Sequence, residues 1–259
     1  MKAIYAWVLT CLVGMLLPSS HVLAGTAQGE KGRILVVMTN HERYPSRSDT
    51  TGLWLTELTH FTDTVEAAGY TTVFTSPKGG KVPLDERSLK WLYMDDSARR
   101  QLRSIHFRER LENTVPAASV DPAEFTAIYF TGGHGVMWDF PEDRELQRLA
   151  ESIYAAGGVV SAVCHGVAGL INLKDAQGQP LIKDKRITGF SNREEWLSGM
   201  RSQVPFFLED RLVGKGALYS DAMLPFTSYV ITDGRIVTGQ NPQSPKEVAE
   251  AVVVALSKL

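Results

Sequence analysis

Apolar residues fall along the chain in short unbroken runs set between longer amphipathic stretches. Arg33 to Thr39 (RILVVMT), Ala127 to Phe130 (AIYF) and Val159 to Val163 are the runs, and the more polar Tyr70 to Ser76 reads as the second strand in chain order. Runs of this length, apolar at successive positions, are the pattern of strands buried on both faces in a parallel sheet. Between the first two, Leu53 to Ala68 carries Trp54, Leu58, Phe61, Val65 and Ala68 at helical spacing and is closed by Gly69. A second helix is predicted from Asp143 to Ala156, closed by Gly157 and Gly158. The segments Asn192 to Ser198 and Pro205 to Val213 also read as helical, and Lys174 to Thr188 as an irregular hairpin turning at Gln177-Gly178. Near the end, Tyr229 to Thr232 and Arg235 to Thr238 flank Asp233-Gly234, a hairpin turn signal. The last helix opens at Ser244-Pro245-Lys246-Glu247, with a serine cap, proline at the first position and glutamate at the third. Strands alternating with helices predict an α/β sandwich of three layers around a mostly parallel sheet, with the site at the carboxyl ends of the strands.

Composition narrows this only a little. The 259 residues show no linker between two cores, so one domain is expected. With 27 basic and 29 acidic residues the formal charge is -2, which leaves no electrostatic footprint for nucleic acid. The arginines of Ser88 to Val115 (Arg99, Arg100, Arg103, Arg108, Arg110) read as the solvated face of helices packed on the outside.

The N-terminus changes the picture more. Lys2 precedes an apolar run from Ile4 to Leu17, Pro18 breaks it, and Val22-Leu23-Ala24 offers a cleavage site. Residues 1–24 are read as a secretory signal peptide and residues 25–259 as the mature domain, exported to the periplasm and free of the membrane after cleavage. Cys11 lies within the leader, so the mature chain keeps a single thiol, Cys164. An internal disulfide is excluded; a reactive thiol, an intermolecular disulfide and a buried inert thiol stay open.

The surroundings of Cys164 point to reactivity. The run VVSAV ends at Cys164-His165-Gly166 before a second apolar stretch begins, a strand, a sharp turn and a helix. A nucleophile on such an elbow needs small residues two positions to either side, and Ala162 and Gly166 are small. A helix starting at His165 would aim its free N–H groups at the sulfur and favour the thiolate. The run AIYF leads into Thr131-Gly132-Gly133-His134-Gly135, whose glycines would let backbone N–H groups approach a reacting oxygen.

Together these residues resemble a known family. GGHGVMWDFP at 132–141, AVCHG at 162–166, TGLWLTEL at 51–58, ITGFSNREE at 187–195 and ITDGRIVTGQNP at 231–242 are similar to the ThiJ/PfpI superfamily. Within this class I glutamine amidotransferase-like group they are most like the small heat-shock-chaperone type, which includes glutathione-independent glyoxalases (glyoxalase III). The resemblance implies a flavodoxin-like sandwich, a homodimer and a cysteine at a strained elbow. Position by position, it implies Cys164 as nucleophile, His165 as its neighbouring base, Glu57 as the carboxyl facing the sulfur and Glu195 or the adjacent Glu194 as third member. It further implies Gly133, with Gly132 and His134 beside it, at the oxyanion and substrate positions. The implied substrate is a small 2-oxoaldehyde such as methylglyoxal, with no metal or organic cofactor.

An amidotransferase uses the same elbow with a histidine far downstream, but all 6 histidines lie at or before His165, which tells against that reading. Two others stay open: a cysteine hydrolase or peptidase of the same superfamily, and a non-enzymatic stress protein. A redox sensor would need only the thiolate and its neighbouring carboxylate, and a holding chaperone would expose an apolar patch and survive loss of Cys164. No compact metal-ligand spacing is present, although Glu57, His60 and His134 could approach one another.

Overall fold

The computed structural model describes residues 31–259; the leader read at 1–24 lies outside them. The strands are β1 (Arg33–Val37), β2 (Thr71–Ser76), β3 (Val115–Pro116), β4 (Ala127–Phe130), β5 (Val159–Val163), β6 (Arg186–Ile187), β7 (Leu218–Tyr219), β8 (Val230–Asp233) and β9 (Ile236–Gly239). The helices are α1 (Leu55–Ala67), α2 (Asp96–Arg103), α3 (Ile105–Glu112), α4 (Val136–Asp139), α5 (Arg144–Ala155), α6 (Asn192–Leu197), α7 (Leu208–Gly214) and α8 (Pro245–Leu256). Seven strands form one sheet in the order β3-β2-β1-β4-β5-β9-β8, parallel throughout except for the β8–β9 hairpin at one edge. α1 packs with α8 on one side and α5 packs on β4 and β5 from the other, which gives the three layers of a flavodoxin-like fold. Among the described residues no helix is long and apolar enough to cross a membrane.

The central strands are buried at every position of β4 and β5, as their unbroken apolar runs require. Tyr129 stacks on Phe61 of α1, ring centroids 3.5 Å apart, and its hydroxyl donates to the Glu57 carbonyl at 2.8 Å. This contact ties the α1 turn bearing Glu57 to the strand that leads into the glycine loop. The connection after β1 crosses to β2 on one side and the connection after β4 to β5 on the other. The sheet therefore has its switch point between β1 and β4, and the loops leaving their carboxyl ends part to form a crevice.

Three local expectations are corrected. Ser244 precedes α8 but does not cap it; its hydroxyl joins Asn241 Oδ1 (3.1 Å) and the Tyr229 backbone instead, where tertiary partners outcompete the helix N–H groups. The segment 174–188 closes only a short turn, with Lys174 bridged to Pro180; β6 then pairs in parallel with the distant β7. Arg110 leaves the solvated arginine face. Its guanidinium lies 3.7 Å over the Phe74 ring and donates to the Thr72 carbonyl at 2.9 Å, covering the sheet edge at β2 with a cation–π contact.

Candidate active site

Cys164 follows β5 with φ 55°, a left-handed conformation that a residue with a Cβ adopts at a cost of about 1–3 kcal/mol. Close packing enforces the turn. A Cβ at Gly166 would lie 2.4 Å from the Thr131 carbonyl oxygen, so the loop after β4 presses directly on the elbow. The residues that follow form a 3-10 helix, Cys164–Leu170, and not the expected α-helix. This corrects the electrostatic expectation as well. Burial pushes the Cys164 thiol well above its ordinary range, the Glu57 carboxyl adds to the rise, and the N–H of His165 offsets only part of it.

His165 Nδ1 is 3.4 Å from the sulfur, and its Nε2 is 2.7 Å from Glu195 Oε2. A carboxylate can only accept, so Nε2 carries the proton and Nδ1 presents a lone pair to the thiol. That is the tautomer a general base needs. Glu195 is delivered by α6, whose first turn is a capping box: the Ser191 hydroxyl accepts from the Glu194 N–H, and the Glu194 carboxylate reaches back to the Ser191 N–H. Glu194 also accepts from Phe226 N–H (2.7 Å) and Asn241 Nδ2 (2.9 Å). Its oxygens are fully engaged, and the carboxylate facing His165 is that of Glu195. Burial alone would raise the Glu195 carboxyl, but the charge that His165 carries when protonated and the N–H donors of both histidines hold it well below the ordinary carboxylate range.

Glu57 is completely buried. Its Oε2 accepts the Gly132 N–H at 2.8 Å, while Oε1 has no hydrogen-bond partner. Burial pushes this carboxyl up to about 8, with the Cys164 thiol and the Gly132 N–H drawing it partway back. At neutral pH Glu57 is therefore a carboxylic acid beside the sulfur, able to donate once the sulfur carries charge.

The Gly132 N–H, engaged by Glu57, is not available to a substrate oxygen, which corrects its placement at the oxyanion position. A Cβ there would fall 2.3 Å from Glu57 Oε2 and 2.9 Å from Cys164 Cβ, so Gly132 lets these two groups meet. Gly133 (φ 98°) faces the cavity, and its N–H donates to no acceptor among the described residues. His134 is also placed differently from expectation. It is buried, with Nδ1 2.7 Å from Arg87 Nη2 and Nε2 2.9 Å from Glu195 Oε1. Both ring nitrogens are held by protein, leaving none for a substrate.

Above the sulfur lies a cavity of about 800 Å³, bounded by Trp54, Tyr93, Phe190, Leu197 and Phe226, with Arg47 and Lys90 also in its wall. Cys164, His165 and Gly133 share this space, so nucleophile, base and a free backbone donor face one pocket.

Residues 55–255 match the profile of the DJ-1/PfpI family. The chain belongs to that family. It is 33% identical over 231 residues to Glyoxalase 3 of Candida albicans, covering 86% of this chain and 98% of that protein. It is 34% identical over 232 residues to the glutathione-independent glyoxalase HSP31 of Saccharomyces cerevisiae, with the same coverage of 86% and 98%. Among solved structures, glyoxalase III from Candida albicans superposes with a TM-score of 0.81 at 32% identity, over 87% of this chain and 98% of that one. The Rapid Encystment Protein 24 kDa of Francisella tularensis superposes at 0.83 with 41% identity, over 87% and 99%.

Against this DJ-1/PfpI framework, sequence reasoning missed Arg87, Asp85 and Tyr44. Arg87 is paired with buried Asp85 (2.7 Å), and the Tyr44 hydroxyl donates to the same carboxylate at 2.9 Å. Asp85 also accepts the Arg87 N–H at 3.0 Å, capping the short 3-10 helix Glu86–Leu89. The pair Asp85 and Arg87 looks in sequence like an ordinary turn cap, and nothing local shows that the guanidinium continues to His134.

His134, His165 and Glu195 offer ligand atoms within 4.8 Å of one another. The donor set nevertheless suits a cation poorly. Each Glu195 oxygen already accepts from one ring, and the Arg87 guanidinium on His134 Nδ1 sets a fixed positive charge against the site.

Proposed function

We propose that this protein is a glutathione-independent glyoxalase that converts methylglyoxal and related 2-oxoaldehydes to 2-hydroxy acids, D-lactate in the case of methylglyoxal. The carrying observation is the line Cys164 Sγ, His165 Nδ1, His165 Nε2, Glu195 Oε2, at 3.4 and 2.7 Å, open to the cavity beside a protonated Glu57. Relatives named as glyoxalases, similar over nearly all of the described chain, support the same reading.

The chemistry follows from the geometry. His165 Nδ1 takes the thiol proton as the sulfur attacks the aldehyde carbon, forming a C–S bond and breaking the carbonyl π bond; the same proton then passes to the new oxygen, giving a hemithioacetal and freeing the base. The base next removes the proton from that carbon, the electron pair moves through the second carbonyl to give an enediolate, and the proton is returned to the second carbon while the first hydroxyl passes its own proton to the second oxygen. The first carbon is thereby oxidised to a thioester and the second reduced to a secondary alcohol, with no external oxidant. Water cleaves the thioester, releasing the 2-hydroxy acid and the thiol. In this reading the Gly133 N–H, which has no protein acceptor among the described residues, meets the oxyanion, and Glu57 donates beside the sulfur. The test is turnover of methylglyoxal without glutathione, followed by chiral analysis of the lactate. Stoichiometric D-lactate supports the reading; no product from reduced enzyme overturns it.

The reading extends to an exported homodimer: export is supported by the apolar leader pattern at 1–24, and the dimer by the family resemblance that the motifs at 132–141 and 162–166 carry. Exported protein should begin at Gly25 by intact mass and sediment as two chains. A retained leader, or a single chain at micromolar concentration, would contradict these two points in turn.

A further inference from the structure

Beyond Glu195 the hydrogen-bonded line does not stop. It continues through His134 to Arg87, and from Arg87 to Asp85 and Tyr44. The donors and acceptors along it are determined. A guanidinium can only donate, so His134 Nδ1 accepts from Arg87; the single ring proton is then on Nε2, and it points to Glu195 Oε1. His134 and His165 thus donate to the two oxygens of one carboxylate, with their rings 4.1 Å apart and tilted by 38°.

We infer that His134, locked by Arg87, is a positioning residue that keeps Glu195 ionised and turned toward His165. The inference rests on the reading of Cys164, His165 and Glu195 as the reacting set.

The physical argument concerns what a second histidine could do wrong. A carboxylate between two imidazoles can be neutralised by either. Were His134 to take a second proton, Glu195 would form its ion pair with that ring, and the imidazolium that forms on His165 during reaction would lose its counter-charge. Arg87 forbids this twice, by occupying Nδ1 and by its own charge. In accord, burial, the charge on His165 when that ring is protonated and Arg87 outweigh the pull of Glu195 and lower His134 to about 4. Asp85 and Tyr44 hold Arg87 from behind, so the guanidinium cannot swing into the cavity whose wall it shares. The groups facing His134 are Arg87 from the 3-10 helix Glu86–Leu89, Tyr44 from the loop after β1, His165 from the elbow and Glu195 from α6.

Two substitutions in the full chain test this. His134→Gln keeps an acceptor for Arg87 and a donor for Glu195 at nearly the imidazole's spacing, while His134→Leu keeps volume and removes both. With methylglyoxal, His134→Leu should lower kcat about 100-fold, within the range for a general base robbed of its orienting group, while KM changes less than about threefold. Its kcat/KM profile should have the acid limb displaced to higher pH, because Glu195 has lost a donor to its charged form. His134→Gln should recover kcat to within about tenfold of wild type, with the wild-type profile.

Cys164 alkylation by iodoacetamide gives a readout independent of substrate: the wild-type rate should still be rising at pH 9, and His134→Leu should slow it at neutral pH where His134→Gln does not. Equal loss in Leu and Gln variants that both melt like wild type, a change in KM alone, or an unaltered pH profile in His134→Leu would overturn the inference. If wild type failed to turn over methylglyoxal while alkylation still separated Leu from Gln, the proposed activity would fall and the positioning role would stand.

Discussion

Cys164→Ala is expected to abolish glutathione-independent turnover of methylglyoxal while leaving the fold intact. No other group in the cavity can form the C–S bond, since Cys164 is the free cysteine among the described residues and His165 and Glu195 are engaged with each other. The fold should tolerate the change because alanine, like cysteine, has a Cβ, so the cost of φ 55° at the elbow is unaltered. Removing the sulfur also leaves Glu57 in place as an acid bound to the Gly132 N–H. Circular dichroism and a melting curve should match wild type, and D-lactate formation should fall to background, a loss of at least about 10⁴-fold for a covalent mechanism deprived of its nucleophile. Residual turnover above about one per cent would require a different mechanism. The same variant weighs a holding-chaperone reading, which the exposed Trp91, Leu92, Met223 and Leu224 favour. Such holding should survive in Cys164→Ala, and its disappearance along with catalysis would count against it.

Glu195→Gln should lower kcat about 10³-fold with little change in KM, for a reason specific to this site. The wild-type carboxylate accepts from two imidazole N–H donors, at 2.7 and 2.9 Å. A glutamine offers one oxygen and one NH₂, so one ring must meet a donor with a donor. The His134 tautomer is held by Arg87, so the amide oxygen goes to His134 and the amide N–H faces His165 Nε2. His165 then shifts its proton to Nδ1 and points an N–H at the sulfur, where a lone pair is required. Methylglyoxal kinetics on the folded variant decide the matter: kcat within tenfold of wild type would show that Glu195 does not set the base. A double variant with His134→Leu releases the amide and should be no worse than Glu195→Gln alone.

How much of this was legible beforehand differs from element to element. The strands β1, β4 and β5 are readable because a strand buried on both faces has to be apolar at every position, which few other elements permit. The β8–β9 hairpin was visible in Asp233-Gly234, and the elbow in the small residues around Cys164. The motifs also sufficed for the family, which the matched profile shows. Short capping signals were less dependable. Ser244 had the right neighbours and does not cap, whereas Ser191 does and its capping box settles which glutamate turns to His165.

What the sequence by itself determined is therefore the layered α/β architecture, the elbow and the identity of the groups gathered at the strand ends. The tertiary structure alone decided their protonation and their partners. Glu57, on the edge of a helical stripe by spacing, became a buried acid because Tyr129 and Gly132 draw its helix turn against the sulfur. The Cys164 thiol, expected to be drawn down by a helix start, is pushed up instead, because full burial outweighs the N–H that a short 3-10 helix aims at it. His134 left the substrate for a place between Arg87 and Glu195, residues 47 positions before it and 61 after it. Charge state depends on desolvation and on the orientation of donors, and both are set by residues far apart in the chain, so no local pattern of residue types could have carried them.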